Sequence, residues 1–257
     1  MAIIIKTAEE IEILREGGRR LASILATVAS AVKPGVTALE LDAVAQAEIA
    51  KLGDSAAFLG YKPVGHRIAF PAALCVSNNA EVVHGIPKDK TVLREGDVVS
   101  IDLGLKHAGM FTDHAITVAV GAISKEKEKL LRVTREAMHA GIEAIVPGAR
   151  VGDIGHAIES YIKKEGKYGI VRDLAGHGVG RAIHEDPFVP NFGKKGTGEK
   201  LVPGMVIAIE PMVTLGTEYL AEARDGYTLV TEDGSSAAHF EHTVLVTDTG
   251  YEILTLV

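Results

Sequence analysis

Four carboxylates in this chain stand where carboxylates are expensive. Asp102 ends the apolar run of Val98, Val99 and Ile101, and Glu210 ends Val206, Ile207, Ala208 and Ile209. Asp113 precedes Ile116 and Val118, and Glu241 precedes Val244, Leu245 and Val246. Acidic side chains normally face solvent. A charge placed in an apolar strand costs free energy unless something compensates it. Strand alternation puts Asp102 on one face with Val98 and Ser100. Brought to one point, four carboxylates repel strongly, and two divalent cations would balance their charge. Hard oxygen donors with one imidazole suit manganese, iron or cobalt, and zinc is admissible. A structural zinc site prefers cysteine, and the chain holds only one, Cys75.

The imidazole is found in "AGHGVGRAIHEDP", residues 175–187. His177 and His184 are two helical turns apart in sequence, but Gly176, Gly178 and Gly180 oppose a helix. The stretch therefore reads as a glycine-rich loop. Glycines let the backbone approach closely and leave room for a substrate. His177 is the natural ligand beside the carboxylates.

The elements that must position these residues are legible. Thr7 with Glu10, and Thr37 with Glu40, are capping-box patterns that open two helices. Ile11, Leu14, Leu21, Leu25 and Val28 recur at helical spacing in the first, and Gly53 is placed to cap the second. Two more helices follow, over "SKEKEKLLRVTREAMHAGIEAIV" and after "PGAR". "ALCVS", "DVVSID", "HAITVAV", "MVIAIE", "YTLVT" and "FEHTVLV" read as strands. The segments also match in pairs: 31–53 with 144–166, 93–102 with 201–210, and 112–118 with 240–246. These alignments pair Asp102 with Glu210 and Asp113 with Glu241. The repeat unit is far longer than that of a solenoid. It predicts one catalytic domain, 1–257, made of two similar α+β halves, about 1–121 and 122–257.

Composition excludes several classes. With 47% apolar and 24% charged residues, the chain is ordinary globular protein. A net charge of −7 opposes nucleic-acid binding, which needs clustered Lys and Arg. One cysteine excludes an internal disulfide framework and suits a reducing compartment. "MAIII" is too short for a signal peptide or a membrane span. The expectation is a soluble cytoplasmic protein without membrane or nucleic-acid partners.

"EVVHGIP", "SIDLG", "FTDHA", "GHGVGRAIHEDP", "IEPM" and "FEHT", in this order, resemble the type I methionine aminopeptidases of metallopeptidase family M24. The resemblance runs over essentially the whole chain. It implies an α+β, pseudo-twofold "pita-bread" fold, an antiparallel sheet core covered by helices. It implies a dinuclear centre of two divalent ions (Mn, Fe or Co, with Zn possible as a substitute) on Asp102, Asp113, His177, Glu210 and Glu241. The activity implied is removal of N-terminal methionine from nascent polypeptides, at the ribosome, by a monomeric enzyme. A metal-bridging water would be the nucleophile, since bound cations lower its pKa, with Glu210 as general base. His184 would stabilise the oxyanion, and His84 would hydrogen-bond the amide nitrogen beside the cut. Tyr61, Phe70, Cys75, Ile183 and Tyr227 would form the methionine pocket. Too little chain lies between Glu210 and Glu241 for the helical insertion of type II enzymes. The pattern departs at 62–69, "KPVGHRIA", an insertion beside the pocket whose His66 receives no role. Xaa-Pro peptidases of the same fold are the alternative, and they usually carry a further N-terminal domain. A non-catalytic protein-binding relative is the other, and such relatives typically lose ligands.

Overall fold

The computed structural model describes residues 3–65 and 68–257. In α1 (Ala8–Ala31) the Thr7 hydroxyl accepts from Glu10 N while the Glu10 carboxylate accepts from Thr7 N. Thr37 and Glu40 repeat the device on α2 (Ala38–Leu52), which ends at Gly53 with φ +71°. Each box satisfies backbone N–H groups that a helix start leaves open. The strands β1 (Ser55–Ala56), β2 (Leu74–Asn78) and β3 (Glu81–Val83) follow. Then comes the long hairpin of β4 (Val98–His107) and β5 (Met110–Ala119). Its turn residues, Ala108 and Gly109, both have positive φ, the geometry that suits two-residue hairpins.

The second part opens with α3 (Lys125–Glu143), capped by Ser124, and α4 (Val151–Glu165). The rest is strand: β6 (Gly169–Ile170), β7 (Ala175–Gly178), β8 (Glu185–Pro190), β9 (Val206–Ile209) and β10 (Met212–Thr214). The last five are β11 (Leu220–Glu222), β12 (Leu229–Thr231), β13 (Ala237–His239), β14 (Glu241–Val246) and β15 (Tyr251–Ile253). No helix among the described residues is long and apolar enough to cross a membrane.

The main sheet runs β1-β4-β5-β14-β9-β7-β8, with β2 also on β4 and β15 also on β14. Its pairings are antiparallel. At its middle β5 meets β14, with Glu241 opposite Ala115 and His242 opposite His114. Outside them lie β4 and β9. The matched sequence blocks therefore fall on β4 and β9, on β5 and β14, and on the two fifteen-residue helices α2 and α4.

Alternation gives the sheet two unlike faces. On the helix face, Ile101 and Leu103 pack with Leu21, Leu25 and Leu41. Ile207, Ile209 and Val244 pack there with Met138, Ile142 and Ile158. Each such fully buried side chain contributes about 1.5–3 kcal/mol, so the helices hold the strands rigid. The other face carries Asp102, Asp113 and Glu241, and Glu210 follows directly on Ile209.

The stretch 175–178 is a correction to the expected loop. It is a strand, paired with both β8 and β9. A Cβ at Gly176 would lie 2.2 Å from the Ala208 carbonyl oxygen, and one at Gly178 2.2 Å from that of Asp186. The glycines serve close strand approach, which overrides their low strand propensity.

Beyond this strand the chain is tied to the N-terminus. Lys6 Nζ is 2.5 Å from Glu185 Oε2, both side chains nearly fully buried. Glu185 Oε1 also accepts from the backbone N–H of Arg181 and Ala182. Burial pulls the Lys6 pKa down against the attraction of Glu185.

Two substitutions test this packing. Gly176→Ala forces β7 off β9 and should destabilise by about 1–3 kcal/mol, as overpacking does, read as a lower urea midpoint. Lys6→Met leaves Glu185 buried without its partner and should cost about 3–5 kcal/mol. The double variant Lys6→Met with Glu185→Gln should lose less than the sum of the two single variants.

Candidate metal centre and substrate pocket

The sheet face opposite the helices opens into a cavity of about 260 Å³. Its lining includes all five predicted ligands, Asp102, Asp113, His177, Glu210 and Glu241. Asp102 and Asp113 come from the hairpin, Glu210 and Glu241 from the ends of β9 and β14, and His177 from β7. Asp113 is fixed by a double contact across the middle of the sheet. Its backbone N donates to Thr243 Oγ1, and its carbonyl accepts from the same hydroxyl.

Electrostatically the cluster is unbalanced as a bare protein. Asp102 Oδ1 and Glu241 Oε1 are buried without a hydrogen-bond partner. Burial, and then the charges of their neighbours, push the Asp113 and Glu241 carboxyls well above the usual range. Burial raises Asp102 as well, with Glu210 adding to the effect against the pull of His239. Glu210 differs. Burial would raise it, but His239, His177 and His184 together hold it below the ordinary value. It stands between two imidazoles: His177 Nε2 lies 3.5 Å from Oε1 and His239 Nε2 3.5 Å from Oε2.

The donor set fits divalent cations. Ligand atoms of Asp113, His177 and Glu241 lie within 4.8 Å of one another, as do those of Glu210, His239 and Glu241. His177 Nδ1 is 2.9 Å from the Gly178 carbonyl oxygen. That contact assigns the proton to Nδ1 and leaves the Nε2 lone pair to face the carboxylates, as metal-binding histidines require. Orphaned buried oxygens, an oriented imidazole and mutual carboxylate repulsion all call for positive charge.

Above this floor the wall is mixed. His84 lines the cavity with φ +57°, a conformation that non-glycine residues adopt sparingly and mostly at functional sites. His184 also lines it, its ring 4.5 Å from that of His177 and its Nδ1 3.0 Å from Tyr61 Oη. Desolvation, followed by the repulsion of His177, holds its pKa down to about 4.

Of the expected methionine-pocket residues, Tyr61, Phe70, Cys75 and Tyr227 line the cavity. Phe70 and Tyr227 meet edge to face at 5.3 Å. Burial and the neighbouring Asp102 and Asp113 push the Cys75 thiol well above its usual value, so it acts as an apolar surface. Ile183 is not among the residues that line the cavity; it is buried in the apolar cluster that also holds Phe70, Cys75 and Tyr227, where its Cδ1 would stand 3.0 Å from a Cβ on Gly104. His66, which was given no role, falls outside the described residues.

Sequence reasoning missed two residues. His239 lines the cavity and is 2% exposed. It lies two positions before Glu241, so the strand alternation already used for Asp102 could have found it. Asp225 holds the turn that leads to Tyr227. Its Oδ1 accepts from Tyr227 N and Thr228 N, and its Oδ2 from Lys88 Nζ at 2.6 Å. Partial burial opposes ionisation, but Lys88 and Thr228 outweigh it and draw the pKa to about 2. No local pattern reveals a contact between Lys88 and Asp225.

Comparison with known proteins agrees with this geometry. Residues 12–248 match the family model of metallopeptidase family M24. A methionine aminopeptidase of Aquifex aeolicus is 50% identical, the alignment covering 99% of each chain. Methionine aminopeptidase 1 of Bacillus subtilis is 45% identical over 99% of this chain and all of its own. The crystal structure of methionine aminopeptidase from Thermotoga maritima superposes with a TM-score of 0.94 at 43% identity, covering 100% of both chains. Prolidase from Pyrococcus furiosus shares the architecture at TM-score 0.78 and 25% identity, over 99% of this chain and 66% of that one. With its antiparallel sheet under helices and its carboxylate floor, the chain has the pita-bread fold and belongs to metallopeptidase family M24.

Proposed function

We propose that the protein is a methionine aminopeptidase, a metal-dependent exopeptidase that removes the first methionine from polypeptides. One observation carries the reading: in a single cavity, a carboxylate floor that calls for cations meets a wall of Phe70, Cys75 and Tyr227. Methionine is slim and polarizable, and aromatic and sulfur neighbours suit it.

Asp102, Asp113, His177, Glu210 and Glu241 would hold two divalent ions. The oxygen-rich set favours manganese, iron or cobalt over zinc. When bound, the ions supply Lewis acidity and lower the pKa of a coordinated water. Glu210, the carboxylate kept ionised by its imidazole neighbours, takes the proton from the attacking water. With the Tyr61 hydroxyl assigned as donor to His184 Nδ1, the proton of this neutral ring is on Nε2, which donates to the developing oxyanion. His84, at the rim, hydrogen-bonds the amide nitrogen beside the cut. The chain reads as two halves, about 1–121 and 122–257, and the fall of the matched blocks on β4 and β9 and on β5 and β14 supports descent of the site from a duplicated unit. Nascent chains in the cytoplasm are the substrates that fit, met at the ribosome by a monomer.

The test is release of free methionine from Met-Ala-Ser, with Pro-Ala-Ser and Xaa-Pro peptides as controls. The protein is stripped of metal and reloaded with Mn(II), Fe(II), Co(II) or Zn(II). Metal-dependent cleavage of Met-Ala-Ser alone is expected. Cleavage of Xaa-Pro substrates instead would move the protein to the prolidase branch, and no cleavage with any metal would leave a binding role. In the same assay Glu210→Gln should lower kcat by about 10²–10⁴-fold, the range for a lost general base.

Asp225→Asn should raise KM for Met-Ala-Ser while kcat changes less, because the amide loses the Lys88 ion pair that seats the turn leading to Tyr227. It also has a pH signature. The carboxyl has a folded pKa of about 2 against an ordinary 3.8, so its contribution is full above pH 3.8 and disappears as pH falls towards 2. The Tm gap between metal-free wild type and Asp225→Asn should be widest near neutrality and close over that acid range.

A further inference from the structure

We propose that His239 is a positioning residue for Glu210: its Nε2–H donates to Glu210 Oε2 and leaves Oε1 turned towards His177 and the cations. The proposal rests on the metal-centre reading above.

His239 is 2% exposed, and neither of its ring nitrogens has a hydrogen-bond partner. Its place is set from the backbone. β13 pairs it with Met212 of β10. Its N–H donates to Thr117 Oγ1, and its carbonyl accepts from the same hydroxyl, both at 2.8 Å. The ring is thus delivered into the cavity by a rigid strand, and Nε2 faces Glu210 Oε2 at 3.5 Å. The Nδ1 proton of His177 is held by the Gly178 carbonyl, but Nδ1 of His239 has no acceptor, so Nε2 is the nitrogen placed to carry the His239 proton towards this carboxylate, which can only accept. The distance is a small side-chain adjustment from the 2.7–3.2 Å of a formed hydrogen bond. Carboxylates that bind metal commonly have such an outer donor, which fixes the oxygen left for the ion.

Direct ligation is the competing role, since a ring nitrogen of His239 lies within 4.8 Å of carboxylate oxygens of both Glu210 and Glu241. It requires the proton on Nδ1, held there by an acceptor, as Gly178 O holds that of His177. His239 Nδ1 has no such acceptor. A neutral imidazole with its proton on Nε2 leaves only an acceptor unpaired, and a buried orphan acceptor is better tolerated than a buried orphan N–H.

The test compares Mn(II) affinity by chelator competition in wild type, His239→Leu, His239→Gln and His177→Ala. Circular dichroism of each metal-free protein checks the fold. His239→Leu should bind Mn(II) about 10–100-fold more weakly, while His239→Gln, which keeps a donor, should stay close to wild type. Pulsed EPR of Mn(II)-loaded wild type should show one directly coordinated imidazole, lost in His177→Ala. Unchanged affinity in His239→Leu would overturn the proposal, as would a His239→Gln as weak as His239→Leu. A second coordinated imidazole in wild type would also overturn it and assign ligation instead, a result that does not depend on whether His239→Leu folds. If His177→Ala binds Mn(II) like wild type, it is the metal-centre reading that fails, separately from the role of His239.

Discussion

Mutual repulsion of buried carboxylates is the constraint on which this molecule is organised. Two unit charges 4 Å apart interact by about 4 kcal/mol at an effective dielectric of 20, and here four carboxylates share one floor. No rearrangement of exposed side chains could relieve that, because Asp102, Asp113 and Glu241 are buried in strands. The groups can only protonate, move apart or take up cations. Moving apart is blocked from behind. The two apolar clusters under the sheet tie β4 to α1 and α2, and β9 and β14 to α3 and α4. What remains is the choice between protons and metal ions, and that choice makes the floor a metal centre.

Within the cluster the four acids are not equivalent. Three are raised by burial and by one another, while Glu210 is held low between His177 and His239. An acid that stays ionised in such company is suited to take a proton. One that is pushed up needs a cation to be ionised at all. The difference comes from the neighbours of each residue and not from its type, since Glu241 is also a glutamate.

The sequence carried the parts of this design that are local. Thr7 with Glu10 and Thr37 with Glu40 mark helix starts because a capping box closes within four residues. The four carboxylates stood out because period-two alternation is visible in any strand. What stayed hidden is what joins distant segments. Lys6 and Glu185 meet across 179 positions, and Asp225 reaches Lys88 across 137. The strand at 175–178 was hidden for a different reason. Glycine reads as a turn former, yet here it is required by a carbonyl 2.2 Å from where a Cβ would stand.

The middle of the sheet imposes opposite demands on its two faces. At the β5–β14 pairing, His114 and His242 stand opposite each other, and their rings stack at 4.7 Å on the helix side. Each is next in sequence to a carboxylate pointing the other way, Asp113 and Glu241. Desolvation holds His114 to about 4 and His242 to about 2, with repulsion from nearby imidazoles adding to it. Both rings are therefore neutral where the protein works, and they serve as hydrogen-bonding side chains. His114 Nδ1 contacts the Glu241 carbonyl oxygen and His242 Nδ1 the Thr255 hydroxyl. One layer of backbone thus separates a face that must gather positive charge from a face that excludes it. The strand register keeps the two apart, since a slip by one residue would put the imidazoles on the floor and the carboxylates into the apolar core.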